Sequence, residues 1–77
     1  MPMGNWITDT NPTQPDVYCT RSDGDFFDYW RYWTGLWWSI GYWTRAGCQQ
    51  AVADYQAEDA RMPRASKRVR RWRAVLP

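Results

Sequence analysis

Seventy-seven residues make a single small domain, and seven Trp, five Tyr and two Phe supply the apolar area that a chain of this length otherwise lacks. The net charge of +2 is divided unevenly: residues 1–60 carry eight acids against three arginines, whereas residues 61–77 carry seven cations and no acid. The ring content excludes intrinsic disorder, the most apolar stretch (36–43) is too short to span a bilayer, and the opening Met-Pro-Met-Gly-Asn-Trp lacks the basic and apolar regions of a signal peptide.

Residues 1–15 read as irregular, with Asp9, Asn11, Pro12 and Pro15 as turn formers and Trp6-Ile7 as a short strand or anchor. Residues 16–21 form a strand, with Val17 and Cys19 on one face and Tyr18 and Thr20 on the other. Ser22-Asp23-Gly24-Asp25 is a tight turn, because Asp-Gly supplies positive φ. Residues 26–33 read as a second strand, with Phe26, Asp28, Trp30 and Tyr32 opposite Phe27, Tyr29, Arg31 and Trp33. Thr34-Gly35 is a two-residue turn into a third strand over 36–42, in which Leu36, Trp38 and Ile40 alternate with Trp37 and Ser39. Residues 16–42 thus make an antiparallel meander.

Thr44 caps a helix over 45–61, whose Cys48, Ala51, Val52 and Tyr55 share one face and which Pro63 stops. Residues 64–68 form a basic linker. A last strand, 69–76, sets Trp72, Ala74 and Leu76 against Val69, Arg71, Arg73 and Val75. The fold expected is α+β: an antiparallel three- to four-stranded sheet in the order β-β-β-α-β, with one helix packed on one face.

Little in the chain points to catalysis, a metal or a cofactor, and none is expected. There is no His, so Cys19 and Cys48 lack both a catalytic base and partners for a zinc site. They are expected to be reduced, buried thiols in a cytoplasmic protein. Asp23, Asp25 and Asp28 read as solvated turn acids, too few for a Ca²⁺ loop. Gly35, Gly41 and Gly47 are spaced as turn and helix-entry residues.

Twelve of the 18 residues in 26–43 are apolar or aromatic. A sheet with one helix buries one face well. If Phe26, Trp30, Trp38 and Ile40 pack under the helix, some of Phe27, Tyr29, Trp33 and Trp37 must find cover from the N-terminal segment or stay exposed as a contact surface. The arginine-rich end suits phosphate or carboxylate. It also suits internal pairing with the acidic helix, or a charged edge strand that resists aggregation. The residues expected to meet a partner are Tyr29, Arg31, Trp33, Trp37, Arg64, Lys67, Arg68, Arg70, Arg71 and Arg73.

Trp6-Ile7, the hairpin Tyr32-Trp33-Thr34-Gly35-Leu36-Trp37-Trp38 and the ending Trp72-Arg73-Ala74-Val75-Leu76-Pro77 together resemble the layout of a family of short phage and prophage proteins without an assigned activity. The helix and the basic run depart from that layout, and no functional residue carries over. The resemblance implies a phage-encoded protein of the host bacterial cytoplasm. The expected function is a non-enzymatic interaction protein that binds and blocks a host protein or nucleoprotein complex with an acidic surface, as an anti-CRISPR-type inhibitor does. A small nucleic-acid-binding protein and a structural phage component that forms a homodimer or larger oligomer are the alternatives.

Overall fold

The computed structural model describes residues 2–57 and 61–77. Strand β1 (Asp16–Ser22) pairs with β2 (Tyr29–Trp33), then helix α1 (Arg45–Gln56) and strand β3 (Val69–Arg73) follow. The three strands form an antiparallel sheet in the order β2-β1-β3, so the fold is α+β with one helix. Gly24, at φ 81°, closes the first turn, where Asp25 N–H donates to the Ser22 carbonyl. Thr44 caps α1 by accepting from Gly47 N–H at 2.9 Å. The helix ends at Gln56; 58–60, which the expected helix included, lie outside the described residues, and Arg61 is not helical.

Three expected strands differ from what their composition implied: β2 is shorter, residues 36–42 form isolated bridges, and β3 ends at Arg73 rather than 76. β2 starts at Tyr29 rather than Phe26, because the carboxylates of 25 and 28 turn the chain toward arginines. Residues 36–42 bridge to β2 at Trp33–Trp38 and Trp30–Tyr42, and between these Ser39 N–H donates to the Tyr32 carbonyl at 2.9 Å. The Ser39 hydroxyl accepts from Tyr32 N–H at 2.9 Å and donates to the Ile40 carbonyl, so a side chain takes the place of one backbone acceptor in the ladder. The two bridges differ by one residue in register. This places Tyr42 on the helix side with Trp30, and Trp38 on the opposite side with Trp33. Trp38 therefore does not pack under the helix as expected, and neither does Phe26 nor Ile40, both of which are exposed.

The pairing continues past both edges. Residues 3 and 7 bridge to 75 and 72 beyond β3, and Ser39 bridges to Arg64 beyond the 38–42 segment. The order across the molecule is therefore 3–7, β3, β1, β2, 38–42, 64–65. In a flat sheet 65 and 69 would stand four strand spacings apart, about 19 Å at ~4.8 Å each. Four residues of extended chain reach only about 14 Å. The sheet must curl.

Curling gives two cores. On the outer side Val17 and Tyr32 pack with Cys48, Val52 and Met62, joined by half-buried Trp30, Trp37 and Tyr42. On the inner side Tyr18, Trp33 and Trp38 pack with Ala65, Val69, Trp72 and Ala74. Their rings meet at 4.9–5.9 Å between centroids. Val69 joins Trp72 on the inner side, against expectation, because the β1–β3 register shifts between Arg21 and Ser22 and adds one residue to β3.

Arg31 is buried on the same inner side. Its guanidinium donates to Thr20 Oγ1 at 2.7 Å, Ser22 Oγ at 3.2 Å and Asp25 Oδ2 at 3.2 Å. The Arg31 and Asp25 side chains are 8% and 11% exposed. Burial alone would push the Asp25 carboxyl up, but hydrogen bonds from Ser22 and the Arg31 charge outweigh it and hold it below its ordinary 3.8. Asp25→Ala leaves a desolvated cation and is expected to cost about 3–5 kcal/mol in urea unfolding. Because the Asp25 carboxyl is lowered on folding, its contribution is complete above about pH 5 and is lost as the pH falls through about 4 and below. Acid titration of stability is expected to be shallower in Asp25→Ala than in the parent chain; equal slopes would refute this account of the pair.

Candidate recognition surfaces

Exposed rings gather where β2 meets the first turn and the start of α1. Phe26, Phe27 and Trp43 are 86%, 60% and 70% exposed. Trp43 lies 6.1 Å from the Phe27 ring and 5.0 Å from the Tyr29 ring. Its position immediately before the Thr44 cap would let it staple onto Cys48, four residues into the helix. Instead it turns to Phe27 and Tyr29 and stays in solvent, so these three rings form a contiguous apolar patch, and exposed Phe26 precedes Phe27 in the chain.

The basic end is heterogeneous. Arg70 pairs with Asp23, and Arg73 pairs with Asp28, which also accepts from Arg21 Nε at 2.6 Å. Burial raises the Asp28 carboxyl less than the Arg21 hydrogen bond and the Arg21 and Arg73 charges lower it, so it sits below the ordinary carboxylate range. The guanidinium carbons of Arg71 and Arg73 lie 4.6 and 4.4 Å from the centroid of the Trp6 ring. Among the described residues, internal pairing therefore occurs with the hairpin acids. Asp23, Asp25 and Asp28 are accordingly arginine partners rather than simply solvated turn acids. Arg64, Lys67 and Arg68 are exposed and have no acid partner among the described residues.

These three cations and Arg70 line a groove of about 400 Å³ that opens from the inner side of the curled sheet. Buried Trp33 and Trp38 and half-buried Trp72 lie at its base, and residues 7–11 form further lining. The Trp72 indole N–H donates to the Thr10 carbonyl at 2.7 Å and ties 7–11 in place. Leu36, 85% exposed, and half-buried Trp37 also line it.

The expected partner-binding residues thus separate. Arg64, Lys67, Arg68 and Arg70 are exposed together at the groove, and Trp37 joins them there. Tyr29 is half-buried beside Trp43. Arg31 and Trp33 are not surface residues: the first is closed over by its hydrogen bonds, the second by Trp38. Arg71 and Arg73 are half-buried and turned to the Trp6 side. Phe26 and Trp43 were not among the expected residues. Their signal is position: a ring one residue past an Asp-Gly turn, or directly before a cap, has no strand neighbour to cover it.

Both thiols are free and buried. Burial pushes the Cys19 thiol up, only partly offset by Arg73, and pushes Cys48 up to about 12. At neutral pH both are therefore protonated core groups. Among the described residues no helix is long and apolar enough to cross a membrane. A disulfide reagent is expected to leave both thiols unmodified in the native protein and to titrate two per chain in denaturant; rapid native labelling of either would contradict this burial.

No protein-family model matches the sequence, and no curated protein or solved structure is significantly similar to it.

Proposed function

We propose that the chain is a non-enzymatic binding protein that docks on another protein through the patch of Phe27, Tyr29 and Trp43. The observation that carries this reading is the exposure of Phe27 and Trp43, 60% and 70%, in one ring cluster with Tyr29. Large rings near the centre of an interface carry most of its free energy, because they bring apolar area at a small cost in side-chain entropy. The fold supports them with a fixed base: Tyr29 lies in β2, and Trp43 is held between the Trp30–Tyr42 bridge and the Thr44 cap.

The protonated thiols and the arginine-bound hairpin acids favour binding over chemistry. The resemblance of the termini and hairpin to phage and prophage proteins makes a bacterial host machine the partner of choice. A nucleic-acid-cleaving defence complex is the specific case, by analogy with other small phage inhibitors. Such a partner is blocked when a rigid domain of 33 × 29 × 23 Å occupies a surface it needs.

The test is affinity capture from a nuclease-treated bacterial lysate with the parent chain and with Phe27→Ser/Trp43→Ser. The parent is expected to retain a specific protein and the double variant to lose it, each ring contributing about 2 kcal/mol or roughly 30-fold in affinity. Retention of the same protein by both chains would remove the patch from the interface. Light scattering of the parent as a dimer, and of the variant as a monomer, would identify the patch as a self-association surface instead.

A further inference from the structure

The groove on the inner side of the sheet shares no residue with the aromatic patch. Arg64, Lys67 and Arg68 stand at it without an acid partner among the described residues, and Arg70 joins them with its charge partly met by Asp23. Asp9 is the one acid among the lining residues and accepts from Thr8 Oγ1 at 3.1 Å. The local balance is therefore strongly positive, on a chain whose net charge is only +2. Like charges held this close repel one another, and an anion relieves that repulsion.

The base of the groove is aromatic, which discriminates among anions. A carboxylate-rich peptide would satisfy the cations but offer nothing flat to Trp37 and the edge of Trp72. A duplex keeps its bases stacked and paired and offers the indoles no free base face. A single strand supplies phosphates for the arginines and planar bases for the indoles. Arginine in place of lysine at three of the four cationic positions suits bidentate phosphate contacts.

We propose that this groove binds a short stretch of single-stranded nucleic acid, its backbone along Arg64, Lys67 and Arg68 and a base against Trp37. The site is independent of the protein-binding patch and stands whether or not that patch has a partner.

The experiment is fluorescence anisotropy of a labelled oligothymidine, about 12 nucleotides long, titrated with the full chain. Neutralising about three phosphates predicts roughly a 20-fold loss of affinity between 50 and 200 mM salt. Arg64→Glu/Lys67→Glu/Arg68→Glu is expected to abolish binding with unchanged circular dichroism, since all three side chains are exposed. Trp37→Leu is expected to weaken it about tenfold. Phe27→Ser/Trp43→Ser is expected to bind as the parent does, which separates this site from the patch. Absence of binding at low salt, equal affinity for a duplex, unchanged binding by the triple variant, or displacement by polyglutamate as effective as by unlabelled strand would each overturn the proposal.

Discussion

A connector of three residues, 66–68, dictates much of the architecture. It joins a segment paired beyond β2 to a strand paired beyond β1, and no extended chain of that length crosses a flat sheet. The curl that results has an outer side, where α1 packs on β1 and β2, and an inner side that must be filled from within. Five of the seven indoles make this workable. Trp33, Trp38 and Trp72 fill the inner side with Tyr18, while Trp30 and Trp37 pack against the outer core and Trp37 also reaches the groove. The cations follow from the same connector. Lys67 and Arg68 belong to it, so the route that closes the sheet also places positive charge at the mouth of the groove.

Burying Arg31 beside these rings carries a desolvation cost, and because its buried Nε has no hydrogen-bond partner among the described residues, the offset falls to the partners of its two terminal nitrogens. Thr20, Ser22 and Asp25 provide them from β1 and its turn. The arrangement locks the turn against β2, and its consequence is felt at the neighbouring residues. With Asp25 directed at Arg31 and Asp28 at Arg21 and Arg73, Phe26 and Phe27 lie on a stretch with no strand partner. Their exposure is a by-product of satisfying two carboxylates, and any use of the patch has been built on that constraint.

Local chemistry made some of this readable in advance. Alternation over 16–21, the Asp-Gly turn, the Thr44 cap and the Cys48/Ala51/Val52/Tyr55 stripe are all properties of a few neighbouring residues, and they appear as expected. What was not readable depends on partners distant in sequence. Trp38 follows Trp33 to the inner side because of cross-strand pairing, Val69 changes side through one added residue, and the Ser39 hydroxyl takes the Tyr32 N–H out of the 36–42 ladder. For the candidate surfaces, composition located the cations but could not sort them. Arg70, Arg71 and Arg73 look alike in the sequence; one meets Asp23, one lies on Trp6, and one does so while also meeting Asp28.

That sorting changes what the uneven charge means. Seven cations in the last 17 residues look like one basic surface, yet β3 spends much of its charge inside the molecule. Arg71 and Arg73 lie on Trp6, where they hold the N-terminal segment beside a strand edge that Gly4 and Ile7 already cover with backbone hydrogen bonds. Cations bound in this way serve the fold and contribute little to attracting a ligand. The cations without such partners stand before β3 rather than within it, next to half-buried indoles, and there charge and ring surface are available together. The number of arginines is therefore a poor guide to where the positive charge of this chain is left unpaired.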